Sequence, residues 1–344
     1  MSTRRNVGIG LVGCGTIGPL HARAIRGIES AELVAVCDIN KERAEALAAE
    51  HGVPACASLE ELLAVPGIDL VSVCTPSGTH GELGTQIAEA GRHVIVEKPI
   101  DTTTDAAEAL IKACDRAGVV LSVISQHRFD PGVRRLKAAL EADALGKVLL
   151  AEGRVWWYRS QAYYDQDAWR GTYAQDGGAL MNQGIHTVDL LLHLLGPARS
   201  VFARATTAAH QMEAEDLLVA NIAFSSGVLG VLSATTASFP GSPETVAVSG
   251  TAANVVLEAG SVRDWDQDEQ LLGKVTEVVS GTLASAALGS RNLGETAHRL
   301  QIADVVDAIV NDRVPEIRGE DGLAALNFVL AAYESARTGR DVAL

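Results

Sequence analysis

The 344-residue chain contains no apolar run long enough to cross a bilayer without interruption, which excludes a helical integral membrane protein. Basic residues are few: 28 Lys and Arg stand against 43 Asp and Glu, a formal net charge of −15. That balance excludes nucleic acid and anionic membrane as partners, because either needs a dominant basic surface. An anionic cofactor must then be held by local groups. Cysteine is scarce and unpatterned. Cys14, Cys37, Cys56, Cys74 and Cys114 show no C-x-x-C spacing, so neither a zinc ribbon nor a disulfide framework is expected. Five is an odd number, and it reads as reduced thiol in a cytoplasmic protein. There are no internal repeats. No small-residue cleavage motif follows Thr3-Arg4-Arg5, so the twin-arginine export signal suggested by that tripeptide is not expected. What is present is 47% hydrophobic and 21% charged residues, enough for a soluble globular protein of two domains.

The richest segment is the first forty residues. Val7 to Val12 reads as a buried strand and runs into Gly13-Cys14-Gly15-Thr16-Ile17-Gly18, a G-x-G-x-x-G turn. A helix from His21 to Ile28 follows, then the apolar run Leu33 to Cys37, capped by Asp38. In a βαβ unit of this kind Gly13 makes the tight turn, Gly15 admits a pyrophosphate, and Gly18 lets helix and strand pack closely. The helix start at Ile17 offers free N–H groups and a positive dipole end to the phosphates. Asp38 accepts hydrogen bonds from ribose hydroxyls and repels a 2′-phosphate, and Ile39 and Asn40 bring no neutralising arginine. The expected cofactor is NAD rather than NADP.

Strand and helix patterns alternate up to about residue 126, ending at the apolar run Val119 to Ile124. Strands separated by helices of this length imply a doubly wound parallel sheet, with ligands beyond its carboxyl edge. Residues 1–126 are therefore read as an NAD-binding Rossmann domain. Residues 127–344 are read as an α+β domain for substrate binding and oligomerisation, whose terminal helix packs back on the first. A long strand is expected at 148–158, and short strands at 201–205, 217–224, 228–234, 245–249 and 254–257. Helices are expected at 179–195, 298–311 and 323–337, and a glycine-, alanine- and serine-rich loop at 280–294. Gly227 and Gly250 mark hairpin turns.

Two places carry the chemistry. The strand His93 to Val96 ends in Glu97-Lys98-Pro99, which puts Lys98 at the carboxyl edge of the sheet; such a lysine is either a solvated strand end or a catalytic group. Gly177-Gly178 precede a run, Ala179 to Leu195, that is apolar except at Asn182, His186, Asp189 and His193. At 100° per residue these four fall within about 60° of one another, a single polar stripe on a buried helix. His193 lies about 10 Å further along the axis than His186 and is read as structural. The i, i+3, i+7 spacing of His186, Asp189 and His193 does not match a tight two-ligand turn, so no metal is expected.

Gly13-x-Gly15-x-x-Gly18, Cys74-Thr75-Pro76 with His80, Glu97-Lys98-Pro99, Trp169-Arg170 and Gly177-Gly178 followed by His186 and Asp189 occur in the order seen in the Gfo/Idh/MocA oxidoreductases, which the chain resembles along its whole length. The segment Ala332 to Gly339 is similar to that family's last helix. The resemblance implies a Rossmann domain followed by an open-faced antiparallel sheet that mediates dimers or tetramers. It also implies a cis Lys98–Pro99 bond, with Lys98 and His186 beside the nicotinamide. For the cofactor it implies Gly13, Gly15, Thr16, Ile17, Gly18, Asp38, Thr75, Pro76, His80, Glu97, Lys98, Gln126, Trp169 and Arg170. For the substrate it implies Lys98, Asn182 and His186; Tyr158, Tyr163, Tyr164, Trp169, Arg170 and Arg128 are candidates for lining the pocket, since aromatics stack on sugar faces and arginine binds oxygens. The chain departs from the pattern in having Asn182 where the family has an aspartate, and an amide cannot carry a proton or a charge. Asp176 is too far along the chain to be taken as its replacement. Asp189 either orients His186 or is structural.

The expected reaction is oxidation of a secondary alcohol in a sugar, sugar derivative or cyclitol. His186 and Lys98 are its catalytic pair, with Asn182 beside them. Two other readings stay open: an NAD-dependent glycoside-cleaving enzyme using transient oxidation, and a non-catalytic NAD-binding regulator.

Overall fold

A computed structural model describes residues 6–267 and 293–344. The Thr3-Arg4-Arg5 tripeptide and nearly all of the 280–294 loop lie outside them. The chain divides into two compact units, Met1–Gln126 with Asn292–Leu323, and His127–Arg291 with Ala324–Leu344. The stretch 292–323 thus belongs with the first unit, whereas the sequence reading placed one boundary after residue 126.

The first unit is built on a parallel sheet of β1 (Val7–Val12), β2 (Ala31–Cys37), β3 (Ala55–Cys56), β4 (Leu70–Val73), β5 (His93–Val96) and β6 (Leu121–Val123). Its order is β3-β2-β1-β4-β5-β6, so the direction of winding reverses between β1 and β4, where a doubly wound sheet opens a crevice for its ligand. Every residue of β1 and β4 is buried, as expected of strands covered on both faces. The helices between them start and stop on local signals. Asn40 caps α2 (Lys41–His51) by accepting from the Arg43 N–H, and Gly52 ends it at φ +69°. Thr103 does the same for α5 (Thr104–Ala117), which Gly118 ends at φ +65°. Helix α1 (Gly18–Arg26) follows the glycine turn, and α3 (Leu59–Ala64) and α4 (His80–Glu89) complete the alternation.

The second unit carries an eight-stranded sheet ordered β13-β12-β11-β7-β10-β9-β8-β14. Its members are β7 (Val148–Trp156), β8 (Ala198–Thr206), β9 (Leu217–Phe224), β10 (Leu229–Thr235), β11 (Thr245–Gly250), β12 (Ala253–Glu258), β13 (Ser261–Gln267) and β14 (Val342–Ala343). All pairs are antiparallel except β7 with β10. Burial alternates along β9 and β10, so one face packs on the core and the other stays open. Gly227 makes the β9–β10 turn at φ +88°. Gly250 ends β11 at its turn into β12, where a Cβ would lie 2.1 Å from the Leu145 carbonyl oxygen. Helices α6 (Pro131–Glu141), α7 (Gln161–Tyr164) and α8 (Ile185–Leu195) cover this unit. The last two helices, α9 (Leu293–Val310) and α10 (Gly319–Thr338), start earlier than the apolar pattern suggested.

The helix expected from 179 to 195 is not uniform. Ala179–Gly184 forms a π turn, and regular α-helix begins only at Ile185. The uniform 100° step therefore does not hold across the segment. Even so, Asn182 and His186 are half-buried while every other residue from 179 to 191 is buried. A π turn of this kind is frequent at functional sites.

Candidate active site

In the first unit the cofactor residues named from the sequence line the carboxyl edge of the parallel sheet. Gly13 has φ +95°, and a Cβ there would lie 2.5 Å from the Cys74 carbonyl oxygen. A Cβ on Gly18 would meet the Gly13 carbonyl oxygen at 2.2 Å, so helix and loop approach as closely as the glycine pattern implied. Above Gly15 the space is open, with only Arg43 Nη1 as near as 4.0 Å. That opening, beside Thr16, Ile17 and the start of α1, fits a pyrophosphate. Asp38 is held at the end of β2 because its Oδ2 accepts from the Cys14 N–H (2.7 Å) and its Oδ1 from the Asn40 N–H (2.7 Å). The residues present therefore fit NAD.

Behind the glycine loop, His80 ties two neighbouring segments together. Its Nδ1 lies 2.7 Å from the Pro99 carbonyl and its Nε2 2.9 Å from the Thr75 carbonyl, on the segment that continues into Pro76. Lys98 is half-buried, and the Lys98–Pro99 bond is cis, as the resemblance implied. Glu97 is buried and accepts the Lys98 backbone N–H at 3.1 Å through Oε2. Its Oε1 faces His21 Nε2 at 2.8 Å and His298 Nε2 at 3.5 Å. Burial alone would raise the Glu97 pKa, but the hydrogen bonds and charges of His21 and His298 outweigh it and hold the carboxyl well below the usual range. These three are the one group among the described residues with metal-ligating proximity. They bond one another, and Ser72 engages the other nitrogen of His21 at 2.9 Å, so they read as a self-satisfied structural cluster. Gln126 closes this unit's set, buried, with its Oε1 lacking a hydrogen-bond partner among the described residues.

The second unit carries the imidazole. His186 opens α8 with its ring edge-on to His127, centroids 5.1 Å apart. Both border a cavity of about 20 Å³, room for roughly one water, together with Thr187, Glu244 and Gly260. Burial disfavours a charged His127, yet the Asp130 carboxylate at 2.7 Å, with Glu244 and Asp189 beyond, outweighs it and raises its pKa. Neither His127 nor Glu244 stood out in the sequence, because no spacing ties them to His186. Arg128 forms a buried two-point ion pair with Asp189, at 2.8 and 2.6 Å. Asp189 therefore anchors Arg128, in addition to any influence on His186.

Asn182 donates from Nδ2 to Oδ1 of Asp176, which the sequence reading had set aside as too distant. Glu215 and Tyr333, both unsuspected from sequence, hold the start of the π turn. The Ala179 N–H donates to the Glu215 carbonyl oxygen at 2.8 Å, and the Leu180 N–H to Glu215 Oε1 at 2.8 Å. The Tyr333 hydroxyl accepts from the N–H groups of Gly178 and Met181 at 3.2 and 3.3 Å. Arg170 lies over the rings of Tyr163 and Trp169, at 4.4 and 4.7 Å, and pairs with Asp167 at 3.3 Å. Tyr158 is 40% exposed and packs edge-on to Phe239.

Comparison with known proteins agrees with this geometry. Residues 7–125 match the model of the GFO/IDH/MocA oxidoreductase family, NAD-binding Rossmann fold, and residues 133–256 match that of the GFO/IDH/MocA C-terminal domain. The WlbA dehydrogenase from Bordetella pertussis, in complex with NADH and UDP-GlcNAcA, superposes with a TM-score of 0.89; it is 35% identical, with 100% of this chain and 99% of that chain covered. A WlbA dehydrogenase from Chromobacterium violaceum with the same two ligands gives a TM-score of 0.88 and 33% identity, over 99% and 97% of the two chains. Myo-inositol 2-dehydrogenase of Thermotoga maritima is 28% identical over 350 residues, covering 98% of each chain. Glycine loop, parallel sheet, cis Lys–Pro edge, antiparallel sheet and full-length likeness agree: the chain belongs to the GFO/IDH/MocA family of NAD-binding oxidoreductases.

Proposed function

We propose that this enzyme oxidises a secondary alcohol of a sugar derivative, with a nucleotide-linked uronic acid of the UDP-GlcNAcA type as the first substrate to test. The observation that carries this reading is the presence of Lys98 and His186 in a chain similar over its full length to two dehydrogenases that bind that compound. Their identities, 35% and 33%, exceed the 28% to the myo-inositol enzyme.

Bound NAD supplies the hydride acceptor. Gly13, Gly15, Thr16, Ile17 and Gly18 would hold its pyrophosphate and Asp38 its ribose, with Thr75, Pro76, His80, Glu97, Gln126, Trp169 and Arg170 around them. The imidazole of His186 takes the hydroxyl proton on one ring nitrogen. Lys98 Nζ hydrogen-bonds the same oxygen and stabilises the negative charge that develops on it. Asn182 orients the alcohol, and Arg128 and Tyr158 line the substrate's path. In the reverse direction the same pair protonates a carbonyl. Five buried thiols fit a reducing, cytoplasmic setting. The open face of the second unit's sheet fits a homodimer or homotetramer. On that face Leu150, Leu229, Val231 and Val219 are exposed among Glu152 and Arg154, a mixture that can complement a second copy.

The test is NADH formation with UDP-GlcNAcA, UDP-sugars, free aldoses and inositols as separate substrates. Turnover confined to the sugar nucleotides supports the reading. Turnover of inositol alone reassigns the substrate, and NAD binding without oxidation of any of them contradicts it.

A further inference from the structure

The Asn182 amide faces a carboxylate. Asp176 accepts from Asn182 Nδ2 through Oδ1. An ionised carboxylate only accepts, so the amide nitrogen must face it and the amide oxygen must point elsewhere. Asp176 is itself immobilised. It is 1% exposed, its Oδ2 accepts from the Gly171 N–H at 2.7 Å, and its own N–H donates to the Thr172 carbonyl at 3.1 Å. The loop backbone at 171–177 therefore fixes the carboxylate, and the carboxylate fixes the amide.

We propose that Asp176 is a positioning residue for the reaction: it turns Asn182 so that Oδ1 is presented as a neutral hydrogen-bond acceptor to a substrate hydroxyl, and it keeps the pair's negative charge in the loop, not at position 182. This rests on the catalytic reading of Asn182, His186 and Lys98. An acceptor of fixed polarity selects a hydroxyl donor at that point of the substrate and rejects an analogue bearing a carbonyl there.

The tests are Asp176→Asn, Asn182→Asp and the exchange of the two. Asp176→Asn leaves two amides that can pair either way round, so turnover should fall about tenfold or more while the KM for NAD is unchanged. Asn182→Asp sets two carboxylates against each other; one must hold a proton, which introduces a new pH dependence in kcat. The exchanged double variant restores the hydrogen bond with its charge one side chain over. It should regain wild-type thermal stability but keep an altered pH profile of kcat. Full recovery of kcat and its pH profile in the exchanged variant would show that only a structural bond is needed, and would overturn the proposal. So would wild-type turnover in Asp176→Asn. A readout free of substrate accompanies these: the Asn182 side-chain amide in nitrogen-edited NMR of the NADH-bound enzyme, identified by its loss in Asn182→Asp. It should shift on Asp176→Asn, and no shift contradicts the proposal. If His186→Ala, assayed alongside, leaves turnover intact, it is the catalytic reading that fails.

Discussion

Asp38 is the side chain on which the proposed preference for NAD over NADP rests. Both of its oxygens already accept backbone N–H groups, which pins the carboxylate at the end of β2 with lone pairs still available for ribose hydroxyls. A 2′-phosphate would meet that fixed negative charge. NAD should bind more tightly than NADP by roughly 10- to 100-fold, the equivalent of one charge-assisted hydrogen bond, and calorimetry with each dinucleotide checks it. Tighter NADP binding would contradict the assignment. The motif was legible because glycine turn, strand and acid are local in sequence. Asp176 was not, because the hydrogen bond to Asn182 depends on a loop that turns back at Gly177, φ +74°, and no periodicity announces that return. Cys14 sits inside the cofactor loop, yet burial, with Asp38 and Cys37 nearby, pushes its thiol up to about 12, so it is no nucleophile there.

At the scale of elements, the π turn is capped from outside. The N–H groups of 178, 179, 180 and 181 are all satisfied by Glu215 and Tyr333, none by the turn's own first side chain. Gly178 is required here, since a Cβ would lie 1.8 Å from Glu215 Oε2. Burial raises the Glu215 carboxyl to about 7, against hydrogen bonds from Leu180 and Tyr333 that lower it. Its folded pKa thus lies above its unfolded value, so its contribution to stability is fully present below about pH 4.5 and is lost as pH rises through about 7. Glu215→Gln should remove that slope. Between about pH 5 and pH 8 the wild type should lose roughly 2–3 kcal/mol relative to the variant in chemical denaturation. Parallel pH curves would contradict the buried protonated carboxyl. The apolar run from 179 to 195 announced a buried helix with one polar stripe, and Asn182 and His186 are the half-buried positions of its first part, 179–191. The switch from π to α at Ile185 was invisible, because the partners that hold the turn's N–H groups, Glu215 and Tyr333, lie 35 or more residues away in sequence.

At the scale of the whole molecule, the alternation of strands and helices made the parallel sheet legible, including the crevice between β1 and β4. The antiparallel sheet was legible as strands but not as an order. Pairing β7 parallel to β10 joins residues some eighty apart, and β14 closes the far edge from the chain's last residues. The assignment of 292–323 to the first unit was likewise hidden, since α9 supplies His298 to Glu97 and Gln301 to the Ser125 N–H across a long stretch of sequence. The open sheet face makes a prediction at this scale. Leu229, the first residue of β10, is 61% exposed on that face, and Leu229→Glu should convert an oligomer to monomer in light scattering without changing the circular dichroism. An unchanged mass would place any subunit contact elsewhere.

The most direct measurement of the account is a double-mutant cycle on turnover, using Lys98→Met, His186→Ala and the pair, with the substrate that yields NADH. Two groups serving one oxygen should each cost about 10²- to 10⁴-fold in kcat, and the pair should cost far less than the product of the two, with NAD affinity retained throughout. Losses that simply multiply, or a wild-type rate in either single variant, would contradict it.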